Sequence, residues 1–296
     1  MNAVERFSMP LAYSTLGCPG DSLAQVIATA HASGATGLEI RAADGEFAFP
    51  GMDASQRADV AAELAAAGLT VLTLASYVRI CAPAPQPDGA DDPVLAELLD
   101  AVELAAGLSA GNRGTGAQVR VFPGAGIEPC GLGSEPSAEM LAADLLGARR
   151  LNAAAQRARE LGVTMLLETH DSHPRGTDIV RILAHVDPAA PVKVIWDLMH
   201  PWRHDEAPAR TAELLADSLA YAQYKDGVRN PGTNTVELTL PGQGELPLTE
   251  MRDLVAGISA AHGITDPWIS LEWERAWHPH LPPVAEALEA LKSVLA

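Results

Sequence analysis

At 296 residues, with 48% hydrophobic and 20% charged side chains, the chain is long enough to bury a substantial core and has a globular composition. A formal net charge of -18 weighs against a nucleic-acid backbone or an anionic membrane as partner, since both call for clustered Lys and Arg. Cys18, Cys81 and Cys130 are far apart and form no CxxC pair, which argues against a disulfide framework or a thiolate zinc site.

The N-terminus, "MNAVERFSMPLAYSTLG", lacks the basic and then apolar regions of a secretory leader. No apolar run approaches the roughly 20 residues that span a bilayer. The expectation is a reduced, cytoplasmic protein.

From the N-terminus onward, short β-branched runs alternate with Ala- and Leu-rich stretches of helical period. "MPLAYSTL" (9–16) is followed by a helix that Asp21 or Ser22 can cap and Gly34 can end. "TGLEIR" (36–41) precedes a helix over about 55–67, and "LTVLTLAS" (69–76) precedes one in "DPVLAELLDAVELAAGL". "AQVRVFPG" (117–124) leads through a Gly-rich loop to a long helix ending near Gly162. "VTMLLETH", "PVKVIWDL", "SLAYAQYKD" and "PWISLEWE" are the fifth to eighth runs, each with its own helix to follow. After the seventh, "VELTLPGQGELPL" reads as a small inserted hairpin with "PGQG" as its turn.

Eight strand-then-helix units imply parallel strands with crossover helices. In slightly under 300 residues they fit a single (β/α)₈ barrel spanning 1–296 better than an open doubly wound sheet, because no GxGxxG follows the first strand.

Barrels of this kind carry their active sites at the C-terminal ends of the strands. Glu168, Asp197, Gln223 and Glu272 end the fifth to eighth runs, so four oxygen-bearing side chains are expected to converge. Buried carboxylates that close repel one another unless protons or a cation intervene. An oxygen-rich set suits Mn²⁺ or Mg²⁺, with Co²⁺ an alternative, better than Zn²⁺. His170 and His200 follow two of the candidate ligands and are read as substrate-binding. Arg41 and Arg120 could orient a polyol or a phosphate, a structural role being equally open for each. Lys225 and Asp226 read as an ion pair at the mouth.

The motifs "LLETHD", "WDLMHP", "QYKD" and "SLEWE", in this order, resemble the xylose-isomerase-like TIM-barrel superfamily of sugar isomerases and epimerases. "GATGLEIR" and "LPGQGELPL" fit it too, so the likeness runs over most of the chain. In the ketose 3-epimerase branch the metal is held by Glu, Asp, His and Glu, which by resemblance places Glu168, Asp197, Gln223 and Glu272 in those roles. The two Glu residues double there as acid/base groups. His200, in the "DxxH" segment, and Arg229, shortly after the third ligand, are implied to contact substrate. Gln223 departs from the usual His of an "HxKD" segment; its amide oxygen is a weaker but legitimate ligand for a hard ion.

The implied chemistry is proton abstraction next to a carbonyl through a metal-stabilised enediolate on a small carbohydrate. A lyase of the same fold, like inosose dehydratase or a C-glycoside-cleaving subunit, is an alternative, as is a non-catalytic sugar-binding barrel. No glycine-rich phosphate loop stands out, which favours a free sugar or glycoside. Homo- or hetero-oligomerisation is left open.

Overall fold

The computed structural model describes residues 9–84, 92–114 and 116–296. Part of the N-terminal stretch read as lacking a leader, residues 1–8, lies outside them.

Eight parallel strands close into a barrel. They are β1 (Leu11–Ser14), β2 (Gly37–Arg41), β3 (Thr70–Arg79), β4 (Ala117–Phe122), β5 (Val163–Glu168), β6 (Val192–Asp197), β7 (Leu219–Tyr224) and β10 (Ile269–Leu271). Each pairs with its neighbours in sequence among these eight, and β1 pairs with β10 to complete the circle. The open-sheet alternative is thereby excluded, and the chain has the TIM-barrel architecture that strand–helix alternation implies.

The first four crossover helices begin where a side chain satisfies free backbone amides. α1 (Leu23–Ser33) starts in a capping box of Ser22 and Gln25, and α2 (Ala54–Ala66) starts in one of Asp53 and Gln56. α3 (Pro93–Leu108) has Asp92 as its cap and a proline at its first position, where no amide is needed. α4 (Ala138–Leu161) closes on Gly162 at φ 65°, a left-handed conformation that glycine adopts without steric cost. α5 (Gly176–Leu183), α7 (Pro208–Leu215), α8 (Leu248–Ala261) and α9 (Val284–Leu295) complete the outer ring. A short helix, α6 (Met199–Arg203), directly follows β6.

Two apolar layers hold the fold together. The larger lies between sheet and helices; the smaller is inside the barrel and contains Ala12, Leu72, Leu166, Ile195 and Tyr221. Burying each Leu or Ile contributes about 1.5–3 kcal/mol.

The inserted hairpin after β7 is present, with its turn earlier than expected. β8 (Asp226–Arg229) pairs antiparallel with β9 (Val236–Thr239), so the turn spans 230–235. The "PGQG" segment instead folds back onto Asp226. The Gly242 and Gly244 amides donate to its Oδ2 at 2.8 and 3.1 Å, and the Gly227 and Leu246 amides to its Oδ1 at 2.8 and 3.1 Å. Asp226 therefore anchors a loop and is not the partner of Lys225, which corrects the expected ion pair. Alternation along the chain sends adjacent side chains to opposite faces, and Lys225 goes inward.

Candidate active site

The inner layer just described continues upward with a change of chemistry. Residues two apart on a strand share a face. Glu168 thus stands above Leu166 on β5, Asp197 above Ile195 on β6, and Gln223 above Tyr221 on β7. Glu272 immediately follows β10, and its amide donates to Tyr224 O at 3.0 Å, carrying the pairing one residue further. Glu168, Asp197 and Gln223 are fully buried and Glu272 is 3% exposed. Glu168, Asp197 and Glu272 bring one carboxylate oxygen each within 4.8 Å of one another. The structure thus gathers the four side chains that the sequence placed at strand ends.

Two buried cations neutralise part of this cluster. Lys225 Nζ lies 2.6 Å from Asp197 Oδ2, 2.6 Å from Glu272 Oε2 and 2.5 Å from Glu274 Oε1. Arg120 Nε is 3.3 Å from Glu168 Oε2 and its Nη1 is 3.1 Å from Glu272 Oε1. The Arg120 guanidinium also packs over the Phe122 ring at 4.3 Å. It therefore binds the carboxylates together, which sequence reading left as one of two open roles.

Below the cluster sits Glu39 of β2, fully buried. It accepts a hydrogen bond from Gln223 Nε2 at 2.7 Å and another from the Ser270 hydroxyl. Burial and the charge of Glu272 push its carboxyl up to about 7, against the opposing effect of these hydrogen bonds and of Arg120. Glu168 is held well above the ordinary carboxylate range, first by burial and then by Glu272 and Asp197, although Arg120 and Lys225 oppose the shift. For Lys225 the three carboxylates outweigh burial and keep the ammonium charged.

Gln223 explains its own orientation. Its amide nitrogen donates to Glu39 and, at 3.3 Å, to Glu272 Oε1, which leaves Oε1 as a buried oxygen without a hydrogen bond. Both oxygens of Glu168 likewise accept no hydrogen bond. Asp197 Oδ2 meets only Lys225 and, at 3.3 Å, His200 Nε2 as ion-pair partners. Buried oxygens in this condition are costly, and a hard cation is the group that would satisfy them all. Glu168, Asp197, Gln223 and Glu272 therefore fit a divalent metal. A second set, Glu168 with His170 and His200, also has ligand atoms within 4.8 Å of one another.

A cavity of about 420 Å³ opens over this floor, lined by Glu272, Lys225, His170, His200 and the aromatic residues Tyr77, Phe122 and Trp277, among others. The His170 ring lies 4.3 Å from Phe122 and 4.4 Å from His200 between centroids. Burial, and then the Arg203 and His170 charges, hold His200 well below the usual imidazole range, so it is neutral.

Two of the residues read as substrate-binding stand apart from this cavity. Arg41 hydrogen-bonds Tyr77 Oη at 2.8 Å, pairs with Glu46 and lies 5.2 Å from the Trp277 ring, so it braces the aromatic wall from behind. Arg229, on the hairpin, pairs with Asp205 at 2.6 Å and covers the Trp202 ring at 4.2 Å.

Glu39 and Glu274 were missed by sequence reading. Glu39 was visible as an acid interrupting the apolar "GLEIR", on the inward parity of its strand. Glu274 gave no such signal, since it lies beyond the strand in a loop.

No curated protein matches the chain in sequence. Among solved structures, D-psicose 3-epimerase from Clostridium cellulolyticum H10 in complex with D-tagatose is 14% identical with a TM-score of 0.68, over 97% of each chain. The probable 3-DHS dehydratase AsbF of Bacillus anthracis is 16% identical with a TM-score of 0.66, over 97% of this chain and 98% of its own. IolI with a bound zinc is 16% identical with a TM-score of 0.68, over 96% of each. At such identities the likeness is one of fold. A family model spanning residues 27–294 decides the matter of descent: the chain belongs to the xylose isomerase-like TIM barrel family.

Proposed function

We propose that the chain is a divalent-metal-dependent isomerase or epimerase acting on a small carbohydrate next to its carbonyl group. The observation that carries this reading is the convergence of three buried carboxylates and one amide oxygen beneath an open cavity, with several of those oxygens unsatisfied. Glu168, Asp197, Gln223 and Glu272 would hold the ion, and an all-oxygen set favours Mn²⁺ or Mg²⁺, with Co²⁺ next. When bound it supplies positive charge where negative charge develops on the substrate's carbonyl oxygen.

The chain's own residues supply the rest. Glu272 reaches the cavity floor and takes a proton from the carbon beside the carbonyl. Glu168 is the second carboxyl of the pair and returns a proton. Each glutamate has two oxygens, so one can serve as ligand while the other handles the proton. Arg120, touching both, keeps them oriented. His170 and the neutral His200 offer hydrogen bonds to substrate hydroxyls without adding charge, and Tyr77, Phe122 and Trp277 shield the reacting carbon from water.

The dehydratase among the structural neighbours is about as similar as the epimerase, so loss of water is the reading to set against isomerisation. Incubation in D₂O with ketoses, inososes and 3-keto-glycosides separates them. Deuterium next to the carbonyl of a rearranged product supports the isomerase; loss of water or an aglycone supports the lyase. Glu272→Gln should retain substrate binding and lose turnover by roughly 10²–10⁴-fold, the usual contribution of a general base. Undiminished exchange in that variant would reduce Glu272 to a ligand. A bound sugar that never exchanges would favour the non-catalytic barrel.

A further inference from the structure

Arg120 and Lys225 are balanced by buried carboxylates; two other cations on the same cavity are not. Arg79 ends β3 and Arg203 ends α6, and both line the central cavity and an adjoining one of about 450 Å³ floored by the turn at 124–127. Among the described residues neither guanidinium makes an ion pair or a side-chain hydrogen bond, and Arg203 Nε is buried without a partner. Asp171 shares that wall but pairs with His170 Nδ1 at 2.9 Å. Against its burial, the His170 contact and the Arg79 and Arg203 charges hold the Asp171 carboxyl below the ordinary range, and Glu128 also lines the adjoining cavity; among the described residues neither carboxylate pairs directly with either arginine. Arg79 is exposed and hydrated, whereas Arg203 is half-buried with its Nε shut off from water, and a cation so placed without a partner calls for an anion.

The turn is shaped around one of them. Gly124, at φ 57°, lies so close to Arg79 that a Cβ there would come within 2.6 Å of Arg79 Cγ. The absence of a side chain lets the arginine stem lie across the turn with its planar fork over the cavity. Such a fork matches carboxylate and phosphoryl oxygens in pairs.

We propose that this wall binds an anionic group, a carboxylate or a phosphoryl group, carried by the substrate whose carbonyl end reaches the carboxylate floor. The inference rests on the enzymatic reading above and narrows its substrate to acidic sugar derivatives, in place of the free sugar or glycoside expected from sequence.

Calorimetric titration of the full chain with inorganic phosphate, glucuronate and glucose tests it. At least one anionic probe should bind tenfold or more tighter than glucose; preference for phosphate assigns a phosphoryl group, preference for glucuronate a carboxylate. Arg79→Gln and Arg203→Gln should each weaken that probe about tenfold and leave glucose unchanged. Gly124→Ala, which alters no charge, should weaken it as well by displacing Arg79. Equal affinity for the three probes, or anion affinity unchanged in both arginine variants, overturns the proposal. Metal uptake by the same wild-type sample reads the floor separately. Intact uptake without anion binding sinks this inference alone, whereas anion binding without uptake sinks the functional reading alone.

Discussion

The inside of this barrel has two layers built on the same strands. In the lower, Leu166, Ile195 and Tyr221 pack with Ala12 and Leu72 into a closed apolar plug. Two residues further along, the same inward parity presents Glu168, Asp197 and Gln223, all fully buried. One pleat, about 6.6 Å of strand, separates a layer that stabilises by excluding water from one that must neutralise its own charge. The lower layer needs only volume and apolarity. The upper needs Arg120, Lys225 and a Glu39 carboxyl raised to about 7 by burial before any substrate arrives, and that requirement makes it the reactive end.

The largest effect that sharpens this contrast is expected at Lys225. Lys225→Met leaves the buried Asp197 and Glu272 without their shared ammonium, and removing one partner of a buried ion pair typically costs about 3–5 kcal/mol. Chemical denaturation of the metal-free protein should show that loss. Added Mn²⁺ should recover more stability in the variant than in the wild type, because the freed carboxylates gain a replacement charge. Equal metal-induced stabilisation of the two proteins would break the proposed equivalence of ammonium and metal.

A smaller effect concerns Glu39, the carboxyl between the two layers. Its value is raised from 4.5 to about 7 in the fold, so its contribution is fully present below the unfolded value and is lost as pH rises through about 7. Metal-free wild type should therefore lose roughly 2.5 kcal/mol between pH 5 and pH 8 from this group. Glu39→Gln, which can still accept from Gln223 and donate to Ser270, should flatten that slope. Equal pH dependence in the two proteins would show that Glu39 ionises freely, and would remove the distinction between the floor and an ordinary polar interior.

The barrel itself was legible because the strands are mostly apolar runs and the first four helices carry side-chain caps, so local signals and tertiary structure agree. The floor was legible for the same reason: an acid that ends an apolar strand must point into the mouth. The charges that neutralise it were harder to read. Lys225 next to Asp226 suggested a pair, yet adjacent residues face opposite ways, and Asp226 instead gathers four backbone amides from across a loop. Arg79 and Arg203 meet on one cavity wall, where β3 runs three residues beyond its expected end and the short α6 follows β6. Residue spacing carries no record of that meeting.

The most direct measurement compares the two layers on one strand. Metal content after loading with Mn²⁺ should be about one ion per chain for wild type and for Ile195→Val, which trims the plug, and close to none for Asp197→Ala, two residues later, with all three proteins folded by circular dichroism. Equal metal content in all three would contradict the assignment of the upper layer as a metal-holding active site.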